Sequence, residues 1–129
     1  MRISKEDVEC LINFLNESIP ITFAGTKDLL DDLLNLGREK DAEIEQERDE
    51  IIHTNFLLAG IYEKLKRKKY ELTNEEAKEL YYHLDFEILE QVRRCPDADN
   101  MSYFYSLFKI WKQAGEIVFP KKSNSDKNA

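Results

Sequence analysis

The side chains in this sequence able to ligate a metal or carry a proton are mostly acids, with 26 Asp and Glu against only two His and two Cys. Glu50-Ile51-Ile52-His53 has the Glu-x-x-His spacing that sets two ligands on one face of a helix. A binuclear site of that kind needs the same spacing on a second helix and two further glutamates. The nearest second pair, Glu79 and His83, is four residues apart rather than three, so the set is incomplete and both histidines read as ordinary half-exposed side chains. Cys10 and Cys95 form no Cys-x-x-Cys spacing and read as small apolar residues in a reducing compartment. There is no Gly-x-Ser-x-Gly and no Gly-rich phosphate loop, so no residue is assigned a catalytic role.

Paired carboxylates are the one pattern with a coherent chemistry. Glu47-x-x-Glu50 and Glu76-x-x-Glu79 each place two acids on one helical face, with 25 residues between the pairs. Hard carboxylate oxygens suit Mg²⁺. On those four residues the chain resembles the all-α NTP pyrophosphatases, where four acids from two helices hold Mg²⁺ against a nucleotide's phosphates. The resemblance implies a Mg²⁺-dependent phosphohydrolase with Glu47, Glu50, Glu76 and Glu79 as ligands. The family's usual final Asp is here Glu79, and Glu76 also belongs to a helix cap. Asp97-Ala98-Asp99-Asn100 is similar to the start of a calcium loop. The obligatory glycine would fall on Ser102 and the terminal glutamate on Phe108, so a polar turn is expected instead.

Charge is distributed unevenly. Residues 28–50 hold ten acids against Arg38, Lys40 and Arg48, a balance equal to the formal charge of −7 of the whole chain. Such a surface disfavours nucleic acid, whose phosphates need basic groups. A row of carboxylates, Glu43, Glu47 and Glu50 among them, instead steers association with a basic protein surface. The basic run Lys64–Lys69 reads as cations at a helix C-terminus.

The elements that carry these residues are helical. Four Gly and three Pro are few for a chain of tight turns, and the apolar residues recur at the helical period. Val8, Leu11, Ile12 and Leu15 predict a first helix after Ser4, ended by Pro20, with an apolar lid over residues 19–25. Thr26 begins a second helix whose polar continuation, residues 38–50, is a solvent-facing ridge; whether residues 26–68 make one helix or two is left open. Thr73-Asn74-Glu75-Glu76 is a capping box for a helix ended by Cys95-Pro96. A last helix runs from about Met101 to Ala114, with Gly115 as its stop.

Two of these helices carry more apolar surface than one contact needs. The helix after Thr73 has a stripe of Ala77, Leu80, Tyr81, Leu84, Ile88 and Val92, and a second of Tyr82, Phe86 and Leu89. The last helix has Met101, Phe104, Phe108 and Trp111, and also Tyr103, Leu107, Ile110 and Ala114. A helix apolar on all sides is central in its domain or meets a partner, and aromatics are the residues of interface hot spots.

The expected fold is thus all-α, an irregular bundle of about five helices over residues 1–120 with a disordered polar tail at 121–129. The expected function is that of a non-enzymatic interaction protein without a cofactor: a small acidic regulator or inhibitor that docks on a protein partner or pairs as a homodimer. Bacterial and phage inhibitors and immunity proteins share this general composition. Its contact residues are Glu43, Glu47, Glu50, Tyr82, Phe86, Tyr103 and Trp111, and the Mg²⁺ phosphohydrolase is the alternative. With no membrane-length apolar stretch and no secretory core near its start, the chain reads as cytoplasmic.

Overall fold

The computed structural model describes residues 1–35 and 42–120; the expected tail at 121–129 and the chain around Gly37 lie outside the described residues. Four α-helices account for most of it: α1 Lys5–Asn35, α2 Ala42–Lys66, α3 Asn74–Arg94 and α4 Met101–Val118, with a 3₁₀ turn at Ala98–Asn100. The chain divides into two compact units, one made of Met1–Leu11 with Tyr70 onward, the other of Ile12–Lys69.

The expected helix end at Pro20 and the expected helix start at Thr26 are both corrected in α1. No lid forms over residues 19–25, because α1 continues through Pro20 for 31 residues. Proline there lacks the N–H that would bond the Asn16 carbonyl and crowds that carbonyl, a cost of about 3 kcal/mol in a helix interior. Before it, Phe14 and Leu15 are buried; after it, Thr26 donates its hydroxyl to the Thr22 carbonyl at 3.0 Å. Residues 42–66 form a single helix, so the described part of the acidic ridge, residues 42–50, is continuous with the residues that follow it.

In the second unit Phe14 and Leu15 of α1 and Leu58, Ile61 and Leu65 of α2 are buried. The basic run ends α2 as expected. Lys68 takes a left-handed conformation at φ 61°, and Lys69 and Lys68 donate to the carbonyls of Lys64 and Leu65. This pair of bonds is a Schellman closure.

In the first unit the chain start is pinned to the segment before α3. Ile3 donates to the Tyr70 carbonyl at 2.9 Å and Leu72 to the Met1 carbonyl at 2.8 Å. Ser4 precedes α1, but its hydroxyl donates to Glu6. Ile3 and Val8, spaced as a hydrophobic staple about the helix start, are both buried. Asp7, also buried, meets Lys109 of α4 at 3.1 Å; this hydrogen bond is the main reason the Lys109 ammonium is held above its ordinary range.

The capping box of α3 is complete: Glu76 N donates to Thr73 Oγ1 at 3.1 Å and Thr73 N to Glu76 Oε1 at 2.8 Å. At its other end Cys95 is left-handed, φ 52°. The Asp97 turn is capped as expected, its carboxylate accepting from Asn100 N. α4 runs past Gly115 to Val118, correcting the expected stop. Gly115 serves packing instead: a Cβ there would lie 3.1 Å from Cε2 of Tyr81. Ala77, Leu80, Leu84 and Ile88 of α3 and Leu107, Ile110 and Ala114 of α4 are buried in this unit. Among the described residues no helix is long and apolar enough to cross a membrane.

Candidate functional site

The two apolar stripes of α3 have separate fates. Leu80, Leu84 and Ile88 face the core, and Tyr82, Phe86 and Leu89 lie on the opposite side, 58%, 68% and 59% exposed. Residues four and seven apart share a helix face, so these three form one outward line. Val92 beside it is also exposed. Extending the line toward the helix start meets Glu75, and toward its end Arg93, at spacings of seven and eleven residues from Tyr82. The Arg93 side chain is 79% exposed, with a 3.5 Å contact to Glu90. The outward face of α3 is therefore acidic at one end, apolar in the middle and basic at the other.

Beside this line runs a chain of aromatic rings that joins α3 to α4. Tyr82 meets Tyr81 edge-on at 5.3 Å, Tyr81 stacks on Trp111 at 6.0 Å, Trp111 meets Phe108 at 5.6 Å, and Phe108 stacks on Phe104 at 6.5 Å. Phe119 closes edge-on against Tyr81 at 5.9 Å. Aromatic pairs in these arrangements contribute about 0.5–1.5 kcal/mol each beyond area burial. The indole of Trp111 donates to Asp85 of α3 at 3.1 Å. Partial burial pushes the Tyr81 phenol above its usual range, and the Asp85 carboxylate pushes it further. Tyr81, Trp111, Gly115 and Phe119 also line a shallow cavity of about 180 Å³.

The aromatic residues expected to make contacts are thus dispersed. Tyr82 and Phe86 lie on the outward line and Trp111 stands in the ring chain with its polar group engaged. Tyr103 lies four, seven and eleven residues before Leu107, Ile110 and Ala114, all buried, so it belongs to the inward stripe of α4. Asp85 gives no signal in the sequence, because its partner is 26 residues away.

No family model matches this chain, and no curated protein or solved structure matches it.

The acidic residues belong to α2. Glu43, Glu47 and Glu50 are exposed and fall on one helical line. Glu50 accepts from Gln46 at 3.2 Å. The same line continues through Thr54 into Leu58, Ile61 and Leu65, all buried. One face of α2 thus changes from carboxylates to core at about its middle.

Of the four glutamates of the phosphohydrolase alternative, Glu47 and Glu50 belong to one compact unit and Glu76 and Glu79 to the other. Among the described residues no group of three or more His, Cys, Asp or Glu is placed to hold a metal ion. Glu76 is committed to the helix cap and Glu79 to His83 at 3.0 Å.

Proposed function

We propose that this chain is a non-enzymatic interaction protein that pairs with a second copy of itself through the outward face of α3. The supporting observation is the line Glu75, Tyr82, Phe86, Leu89, Arg93, with three large apolar side chains on the side away from the core and opposite charges at its two ends. Acids near a helix start and bases near its end complement the helix dipole locally. The same order makes the face complementary to itself when two copies run antiparallel about a two-fold axis. With that axis near Leu84, Tyr82 of one copy faces Phe86 of the other, and Glu75 faces Arg93. Burying Tyr82, Phe86 and Leu89 supplies the non-directional attraction, at roughly 25 cal/mol per Å² of apolar area. The end charges set direction and register. The carboxylate line of α2, Glu43, Glu47 and Glu50, is the surface offered to a basic protein partner, and the acidic regulator reading rests on it.

Sedimentation equilibrium tests the pairing. The wild-type chain is expected to show a concentration-dependent dimer. Phe86→Glu and Arg93→Glu are each expected to give monomers with unchanged helicity, and Glu75→Arg combined with Arg93→Glu is expected to restore the dimer. A wild-type chain that stays monomeric at several hundred micromolar, or a dimer indifferent to Phe86→Glu, overturns it.

A further inference from the structure

The second unit contains a cleft of about 390 Å³ between α1 and α2, a volume within the range of small-molecule sites. Its walls are mainly apolar, with Phe23 and Leu30 from α1 and Ile52 and Phe56 from α2. Two polar residues, Thr26 and Asn55, also line it.

Asn55 is 1% exposed, and its hydrogen bonds fix which way its amide points. Thr26 spends its only hydroxyl hydrogen on the Thr22 carbonyl at 3.0 Å, so toward Asn55 it acts as an acceptor. The Asn55 Nδ2 donates to Thr26 Oγ1 at 2.6 Å and to the Ile51 carbonyl at 3.0 Å, which uses both its hydrogens. Turning the amide over would set its oxygen against the Ile51 carbonyl, acceptor on acceptor. The Oδ1 atom is buried and, among the described residues, no group donates to it. A buried acceptor left without a donor carries its full desolvation cost.

We infer that this cleft is a binding site for a small neutral aromatic molecule bearing one N–H or O–H donor, which bonds Asn55 Oδ1. Each element of that description follows from the site. The site atom is an acceptor with both amide hydrogens committed, so the ligand must donate. A charged donor would lose its hydration against walls of Phe, Leu and Ile, which is costly without a counter-charge. Lys27 and Asp31, the charged residues on the cleft, are both exposed and of opposite sign, so they demand no net charge. The aromatic body matches Phe23 and Phe56. Because Asn55 is covered, the ligand reaches Oδ1 by displacing a wall side chain, and Phe56, 64% exposed, is the one least held by its surroundings.

Indole and 1-methylindole, which differ in the single N–H, are the probes. In ¹H–¹⁵N NMR titrations of the full chain, indole is expected to give saturable shifts at the Asn55 side-chain amide and at the backbone amides of Thr26 and Ile52. 1-Methylindole is expected to bind about tenfold more weakly, the value of one net hydrogen bond. Asn55→Leu replaces the amide by an apolar group of similar size and is expected to bind both probes equally. Equal affinities in the wild-type chain, shifts that do not saturate, or a preference that survives Asn55→Leu would each overturn the assignment. The wild-type comparison decides by itself if the variant does not fold. None of these readouts involves α3, so the result is independent of the proposed pairing.

Discussion

The indole of Trp111 and the carboxylate of Asp85 join α4 to α3 by a 3.1 Å hydrogen bond in the middle of a chain of aromatic rings. Trp111→Phe keeps a ring in place and removes the donor. A hydrogen bond to a charged group is worth about 1.5–3 kcal/mol, so urea unfolding is expected to show a loss within that range. Adding Asp85→Asn, which removes the stranded charge, is expected to recover part of it; a double variant as unstable as the sum of the singles would deny the bond its role.

The Tyr81 phenol is raised by partial burial and by Asp85. The folded chain therefore holds that proton more tightly than the unfolded chain, whose tyrosines titrate near 10. This contribution to stability is complete below about pH 10 and is lost as pH rises through the folded value. Urea midpoints between pH 8 and 11 should fall more steeply for the wild-type chain than for Tyr81→Phe. Parallel slopes would count against it.

The middle of α1 has two positions at odds with a helix. Pro20 removes one backbone bond, and Gly25 is exposed with open space around the position of an added Cβ. Pro20→Ala is expected to stabilise by about 3 kcal/mol at most, and Gly25→Ala by about 0.5–1 kcal/mol. Thermal melting followed by circular dichroism reads both, and a lowered midpoint for Gly25→Ala would show that α1 is interrupted there.

Thr73 and Glu76 satisfy two otherwise unpaired donors at the start of α3. Thr73→Ala is expected to cost about 1 kcal/mol, and Glu76→Gln much less, since an amide oxygen still accepts. A Glu76→Gln loss as large as that of Thr73→Ala would contradict this.

Local chemistry was the legible part of this chain. Thr73 through Glu76, Asp97 through Asn100 and the basic end of α2 all behave as their residue types dictate, because a cap or turn is decided within four or five residues. The fate of Pro20 was not legible. Its local preference is to end a helix, yet α1 continues through it, an outcome that periodicity alone does not settle. Likewise Tyr82 and Tyr103 are alike as aromatic residues on doubly apolar helices. Only the packing of α3 and α4 separates the outward one from the one aligned with Leu107 and Ile110. Asn55 gave no signal at all, since an asparagine in a helix is unremarkable until both of its amide hydrogens are traced.

The strap between Met1–Ile3 and Tyr70–Leu72 bears on the order of folding. The unit Ile12–Lys69 is one uninterrupted stretch, whereas the other unit draws residues from either side of it. During synthesis the inserted stretch has all its parts once Lys69 has emerged. The unit that contains the chain's first residues can finish only after α4 does. Closing a loop of some seventy residues is entropically slow compared with pairing neighbouring helices, so the start of this chain is among the last parts to find its place.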